Sequence, residues 1–327
     1  MNRTLQTCAR QLAIAASLTL AFAVTPATAA WPEKPVRIVH AYPGAPLDAA
    51  TRYLAEKLAA IWRQPVLVET RPGASEIIAG RTVATASPDG YTLFVGADSN
   101  FSSNQYLFKD LPFDPERDLA PVTELFELPF CLIVPGNFPA NTVAEYATLM
   151  KAEGEKHQYA STGIGGPNHL SMESLNKTLG ISVMMVPYKV GPEIVQDLIS
   201  GRVSSLVAGV FTAAPFVPNG KLKVLAVSGD RRQKAIPNTP TFAEAGYPDM
   251  RIGSYVGLAA PRGTPESVLN RIAADVKTVL STPEYVEKVG DPFGYAPIGS
   301  TPQQFAAFLQ ERRAEAQKQI EMLGLRK

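Results

Sequence analysis

Four polar, glycine-containing loops hold the residue types in this chain that could bind a small anion. The first, 42–48, follows a β-rich run and leads into a predicted helix at 49–62. A loop of this kind leaves backbone N–H groups at the positive end of a helix, where an anion can be held. For Asp48 we favour a helix N-cap over ligand contact, because a carboxylate repels an anion. The candidate ligand residues of this loop are Tyr42, Pro43, Gly44, Ala45 and Asp48.

The other three loops are 96–104, 161–169 and 187–192. The second loop is dense in hydroxyl and amide groups, which suit hydrogen bonding to a carboxylate. The last two lead into predicted helices. Each loop alone resembles an ordinary connection, but together they could clamp an anion between two lobes. Their candidate residues are Asp98, Ser99, Asn100 and Ser103, then Ser161, Thr162, Gly163, Gly165, Asn168 and His169, and finally Tyr188, Lys189 and Gly191.

Catalytic signatures are missing from the sequence. It has no nucleophile elbow, Walker A loop, zinc-protease motif or dinucleotide fingerprint. Its three histidines, His40, His157 and His169, lack the spacing of metal ligands. We therefore predict no enzyme activity, no metal and no cofactor. A secreted hydrolase that uses Ser161 and His169 remains an alternative, and it would require an activity that is lost in Ser161→Ala.

The N-terminal segment predicts export. Arg3 and Arg10 precede an apolar run at 11–24 and a small-residue stretch, the pattern of a cleavable signal peptide over 1–29 with cleavage near Ala29. The mature protein is then expected in the periplasm. The chain has 31 Lys+Arg and 30 Asp+Glu, and loss of the two leader arginines leaves 29 against 30. A near-neutral chain gives no reason to expect a nucleic-acid partner.

The elements that must position the loops form two α/β sets, 31–126 and 135–250, followed by a mostly helical 262–327. Apolar runs at 128–134 and 252–260 are expected to cross between the sets. Two crossings give an α/β fold of two lobes with a cleft, where such folds bind ligands. Cys131 lies in the first run, so we expect a buried apolar side chain rather than a reactive thiol.

An ordered set of short motifs gives the chain a family resemblance. They are Trp-Pro-Glu-Lys-Pro at 31–35, Glu-Thr-Arg-Pro-Gly-Ala at 69–74, Ser-Pro-Asp-Gly-Tyr-Thr-Leu at 87–93, Asp-Leu-Ala-Pro-Val at 118–122, Val-Pro-Tyr-Lys at 186–189, Thr-Pro-Thr-Phe-Ala-Glu-Ala-Gly at 239–246 and Gly-Leu-Ala-Ala-Pro-Arg-Gly-Thr-Pro at 257–265. With them the chain resembles the substrate-binding proteins of tripartite tricarboxylate transporters, the Bug family, over nearly the whole mature sequence.

The resemblance implies a periplasmic-binding-protein fold of type II, in which a two-strand hinge joins two α/β domains around a ligand cleft. Domain 1 would comprise 30–130 and 255–327, and domain 2 would comprise 131–254. The implied ligand is a small mono- or dicarboxylate, an amino acid or an aromatic acid. A monomer would deliver it to a two-subunit membrane permease. A sensory module that presents the ligand to a membrane receptor kinase remains an alternative.

Two departures from the family pattern concern the cleft. Ala45 and Pro46 replace residues of the family's Pro-Pro-Gly-Gly loop, and Pro46 has no N–H to donate. Ser75 and Glu76 stand where the family has two glycines. We favour a plain helix N-terminal charge for Glu76, and selection of a ligand amino group is the alternative. Ligand specificity is expected to differ from that of relatives at the 42–48 loop.

Overall fold

The computed structural model describes residues 31–73, 76–188, 191–250 and 252–325, and strands alternate with helices along most of them. The predicted leader, Ser75 and Lys189 lie outside these ranges. The strands are β1 (Val36–His40), β2 (Val66–Thr70), β3 (Thr92–Ala97), β4 (Leu119–Pro135), β5 (Gln158–Ser161), β6 (Met184–Pro187), β7 (Ser205–Gly209), β8 (Leu222–Val227), β9 (Gly253–Pro261) and β10 (Ala296–Pro297).

Helices connect most of the strands. They are α1 (Pro46–Trp62), α2 (Ile77–Ala84), α3 (Asn104–Leu107), α4 (Val143–Glu153), α5 (Pro167–Leu179), α6 (Gly191–Ile199), α7 (Val210–Ala213), α8 (Glu266–Leu280), α9 (Pro283–Tyr285), α10 (Asp291–Phe293) and α11 (Pro302–Met322). Short π-helical turns occupy Ser99–Ser103 and Val286–Gly290, and a 3₁₀ turn occupies Gly154–Lys156. The predicted α/β class is confirmed.

Strand β4 belongs to two sheets. Its residues 119–129 pair with β9 in a first sheet of order β2-β1-β3-β9-β4. Its residues 130–135 pair with β7 and β8 in a second sheet, which continues through β5 to β6. Strands β1, β2 and β3 are parallel, and β9 runs antiparallel to β3 and β4. The apolar runs predicted to cross between the lobes therefore lie in β4 and β9.

Alternation along β4 divides the second lobe into two cores. Phe130 and Leu132 face a cluster built with α4 and α5, whereas Cys131 and Ile133 face a cluster built with α6 and α7. Successive strand residues point to opposite faces, so a strand covered on both sides is apolar throughout. Cys131 is fully buried, as expected for a packed apolar side chain.

The first lobe packs α2 and α11 on one side of its sheet through an aromatic core. Phe94, Phe101 and Phe305 are buried together, and the Phe101 and Phe305 rings meet edge to face at 5.7 Å. This core fixes the segment after β3, which carries the second predicted ligand loop. Within the described ranges, no helix is both long enough and apolar enough to span a lipid bilayer. The predicted domain boundaries stay a prediction.

Candidate functional site

The first predicted loop lies between the end of β1 and the start of α1. The helix begins at Pro46 and not at 49, and its N-cap is Ala45. Pro46 favours this earlier start, because its fixed φ suits the first helical position and its missing N–H is not needed there. Asp48 consequently lies inside the first turn. The prediction that Asp48 is the N-cap is wrong.

Asp48 instead braces the loop from within. Its carboxylate accepts a hydrogen bond from the Gly44 N–H at 3.2 Å and lies 2.9 Å from Arg52 Nε. Burial alone would raise the pKa of Asp48, but Arg52 and the Gly44 N–H outweigh it and hold that pKa below its ordinary value. The N–H of Gly44 is thus already used by the chain.

His40 completes this bracing beneath the loop. The ring is fully buried, and its Nδ1 accepts the backbone N–H of Tyr42 at 3.2 Å. Its Nε2 lies 3.0 Å from Asp48 Oδ1. Burial lowers the pKa of His40 and outweighs the opposing effect of Asp48, so the ring is neutral at pH 7. The Nδ1 acceptor role then assigns the ring proton to Nε2, on the side of Asp48.

Glu76 joins the first and second loops. The Tyr42 hydroxyl donates to Glu76 Oε2 at 2.5 Å, and the Ser99 hydroxyl donates to the same oxygen at 2.8 Å. The N–H of Ala97 donates to the Tyr42 oxygen at 3.2 Å. Burial raises the pKa of Glu76 to about 7, despite the opposing hydrogen bonds from Tyr42 and Ser99. Glu76 does precede α2, but its carboxylate points into this cluster rather than serving as a plain helix-end charge.

The rest of the second loop is buried and polar. Burial raises the pKa of Asp98 to about 6, although Arg312 acts against it. Asp98 Oδ1 and both amide atoms of Asn100 are buried with no hydrogen-bond partner among the described residues. Ser103 is 3 % exposed. The loop therefore carries polar groups whose hydrogen-bonding capacity the described chain leaves unused.

The third loop runs from β5 to α5 and is also held by its own side chains. The Ser161 hydroxyl donates to the Gly163 carbonyl at 3.1 Å, and the Gly165 N–H donates to His169 Nδ1 at 2.8 Å. The hydroxyl of Ser161 is thus directed at the backbone and not at His169. This geometry does not support a hydrolase in which His169 activates Ser161. Burial lowers the pKa of His169, against the influence of Glu173.

The start of α5, at the end of this loop, has no side chain that caps the helix. The N-cap is Gly166, which provides no side-chain cap for the helix. Asn168 accepts a hydrogen bond from Thr162 at 3.3 Å and donates to the Val207 carbonyl at 2.7 Å. First-turn N–H groups of an uncapped helix need partners from outside the helix. The α5 terminus can therefore receive an anionic group.

The fourth loop lies next to the third, because β5 and β6 pair side by side. The Tyr188 N–H donates to the Ser161 carbonyl at 2.8 Å. Its hydroxyl donates to Asp197 at 2.8 Å, and burial together with Asp197 raises the pKa of Tyr188 to about 12. Gly191 is exposed at the start of α6, where an added Cβ would meet open space.

The two lobes meet beside these loops. Leu107 of α3 and Leu170 of α5 are buried in one cluster with Ala316 and Ile320 of α11. A Cβ added to Gly165 would lie 2.5 Å from Leu107 Cδ2. The third loop of one lobe thus packs directly on the segment that follows the second loop of the other.

A small polar cavity lies at this junction. It has a volume of about 30 Å³, and its walls include Asp98 and Ser103 from the first lobe, Pro167 and Ser171 from the second, and Arg312. The space is about that of one water molecule. As the lobes stand in this structure, the space is too small for an organic acid.

Sequence reasoning missed Arg312. It lies on α11 and lines both the small cavity and a larger one of about 300 Å³ beside β4 and β9. None of the predicted ligand residues lines the larger cavity, so we place the candidate site at the junction of the loops. An arginine on a long amphipathic helix resembles a solvent-facing charge in sequence, and no local motif marks it. Among the described residues, no group of three His, Cys, Asp or Glu could hold a metal ion.

Comparison with known proteins agrees with this architecture. Residues 50–325 match the family model described as tripartite tricarboxylate transporter family receptor. A relative from Cupriavidus necator, the UPF0065 protein in the gbd 5′ region, is 34 % identical over 317 residues, covering 96 % of this chain and 95 % of the relative.

Three solved structures share the fold. Rpa4515 of R. palustris with adipate is 27 % identical with a TM-score of 0.78, covering 90 % of this chain and 98 % of that one. MatC of Rhodopseudomonas palustris with bound malate is 28 % identical with a TM-score of 0.74, covering 89 % and 100 %. The periplasmic binding protein BugD is 28 % identical with a TM-score of 0.74, covering 91 % and 100 %.

These similarities confirm the predicted two-lobed periplasmic-binding-protein fold and the predicted family. Proteins of this kind bind solutes and are not enzymes. The chain therefore belongs to the tripartite tricarboxylate transporter receptors, a family of solute-binding proteins.

Proposed function

We propose that this protein captures a small carboxylated metabolite between its two lobes in the periplasm and delivers it, as a monomer, to a two-subunit membrane permease. One observation carries the proposal. The uncapped N-terminus of α5 begins beside a polar cavity whose opposite wall holds Asp98 and Ser103 of the first lobe. A helix N-terminus favours an anion through its free N–H groups and its dipole.

Related structures support the same ligand class. One neighbour in the family holds adipate and another holds malate. Both ligands are small dicarboxylates, so a carboxylate is the chemistry to test first in this chain.

Binding requires both lobes. The loops of the first lobe and the start of α5 offer half-sites, and only the closed arrangement brings the two half-sites to one ligand. A ligand that contacts both halves stabilises the closed form over the open form, because its affinity for the two forms differs. A permease that recognises the closed form would then distinguish loaded from empty protein.

Native mass spectrometry and thermal unfolding test the proposal. We expect protein purified under gentle conditions to carry a small acid. After the protein is stripped, a carboxylate at about 100 times its Kd should stabilise the fold by about 2.7 kcal/mol. This stabilisation should raise Tm by roughly 4 °C in a chain of this length. If a broad panel of carboxylates leaves Tm unchanged in stripped, folded protein, the proposal is wrong.

A further inference from the structure

Two hydroxyl groups of the candidate ligand loops converge on a carboxylate that belongs to the chain itself. Tyr42 at 2.5 Å and Ser99 at 2.8 Å both donate to Glu76 Oε2, and Ala97 N–H donates to the Tyr42 oxygen. Converging hydroxyl donors are the groups that a binding cleft offers to a ligand carboxylate. In this lobe the acceptor is already supplied by Glu76.

The backbone conformation and the contacts of Glu76 differ from those of a residue that caps a helix. Its φ is 70°, in the left-handed region that glycine adopts readily and other residues adopt at a cost. Although Glu76 occupies the N-cap position of α2, its side chain makes no capping hydrogen bond. The contacts that account for a glutamate at this position are those with Tyr42 and Ser99.

The charges around Glu76 are acidic. Asp98 is the charged neighbour that disfavours its ionised form, and Tyr42 and Ser99 are its hydrogen-bond donors. Asp98 in turn faces Arg312 and accepts a hydrogen bond from Ser254. Within the described ranges, no lysine or arginine forms an ion pair with Glu76. A second ligand carboxylate placed here would meet like charge, whereas an ammonium group would be attracted.

We propose that Glu76 makes the cleft selective for ligands that carry an ammonium group together with a carboxylate. This inference rests on the proposed function, since it assumes a ligand bound between the lobes. The ammonium group pairs with Glu76 on the side of the first lobe, where Asp98 adds negative charge. The ligand carboxylate lies at the N-terminus of α5. The ligand class is thus an amino acid rather than a simple dicarboxylate.

Calorimetric titration of stripped protein with matched pairs tests the selectivity. The pairs are aspartate with succinate, glutamate with glutarate, and leucine with 4-methylpentanoate, which differ within each pair only by the amino group. At pH 7.5 we expect at least one amino acid to bind ten times or more tightly than its deaminated partner. In Glu76→Gln the preference should fall below threefold, because the amide keeps the shape but removes the charge.

Two further variants separate selectivity from folding. Glu76→Gly relieves the left-handed backbone and removes the acid, so it should fold well and show the same loss of preference. Glu284→Gln removes one exposed carboxylate that pairs with Lys57 and Lys288, and it should leave the preference unchanged. The preference of the unaltered protein should also decline from pH 8 to pH 5.5, because a protonated Glu76 no longer attracts an ammonium group.

The outcomes are distinct. If deaminated partners bind the unaltered protein as tightly as the amino acids, or if the preference survives in both Glu76 variants, Glu76 does not select the ligand. If no member of any pair binds the unaltered protein or the variants, this inference fails, and the thermal unfolding panel decides separately whether carboxylate capture fails as well. Binding of dicarboxylates alone would overturn the inference but leave carboxylate capture intact.

Discussion

Replacing Glu124 with glutamine should change the pH dependence of stability. Glu124 lies in the middle of β4 and is only 5 % exposed, and its Oε1 has no hydrogen-bond partner among the described residues. The β4–β9 register shifts between Glu124 and Phe126, and such a bulge can redirect a side chain inward. Burial, reinforced by Glu127 and opposed by Arg312, raises the pKa of Glu124 from 4.5 to about 7.

The sign and size of the effect follow from linkage. Because the folded-state pKa exceeds the unfolded value, the folded protein holds this proton more tightly. Its contribution to stability is fully present below pH 4.5 and is lost as the pH rises through about 7. Each pKa unit corresponds to about 1.4 kcal/mol. The whole shift from 4.5 to about 7 corresponds to about 3.4 kcal/mol, and roughly 2.5 kcal/mol of it is lost between pH 5 and pH 8, because the unfolded-state carboxyl is already mostly ionised at pH 5.

Urea unfolding of the unaltered protein and of Glu124→Gln at pH 5 and pH 8 measures this pH dependence directly. Glutamine does not titrate, so the stability of Glu124→Gln relative to the unaltered protein should improve by roughly 2.5 kcal/mol on going from pH 5 to pH 8. Other titrating groups cancel in the comparison. Glu56→Gln, at an exposed position on α1, is the matched control for loss of one carboxylate. A relative stability that is the same at both pH values would refute the assigned burial of Glu124.

Three further outcomes test the packing. Gly165 and Gly220 have φ of 78° and 68°, but an added Cβ meets a neighbour, Leu107, only at Gly165. Urea unfolding should therefore show Gly165→Ala to be about 1–2 kcal/mol less stable than Gly220→Ala, and equal losses would contradict the contact between the lobes. Thr301 forms a capping box at the start of α11. Thr301→Ala should therefore lower the free energy of unfolding by about 1 kcal/mol, whereas Thr301→Ser, which keeps the hydroxyl, should lower it by much less. Burial raises the pKa of the Cys131 thiol, so Cys131 should react with a thiol reagent only after unfolding, and fast reaction in the folded protein would contradict its placement.

The fold could be predicted from the sequence because its signals are repeated over long stretches. The run 130–134 is apolar at every position, which indicates a strand covered on both faces, and it lies in β4 between two buried clusters. The run 252–260 predicted a second apolar strand, and β9 occupies Gly253–Pro261 beside β4 in the first sheet. The sequence did not indicate that β4 extends back to Leu119, because Pro121 and three polar residues interrupt its apolar pattern.

The site was predicted less completely, because hydrogen-bond partners are set by tertiary contacts. The sequence located the four loops, and the structure brings the first close to the second and the third close to the fourth. It could not indicate that Asp48 would accept the Gly44 N–H. That contact forms in a helix that begins at Pro46. The sequence alone did not locate this start, because Pro46 and Asp48 both favour the first turn of a helix. Arg312 is distant in sequence from every loop that it approaches.

Glu76 shows how a single backbone angle decides the chemistry of a loop. With an ordinary negative φ, a glutamate before α2 would resemble any helix N-terminal acid, and the sequence favours that interpretation. At φ 70° the side chain instead reaches the hydroxyls of Tyr42 and Ser99. The residue whose carboxylate joins the first and second loops is therefore also one for which glycine would be the less strained choice. Replacement of Glu76 by glycine would relieve the left-handed backbone but would also remove the acceptor of the Tyr42 and Ser99 hydroxyls.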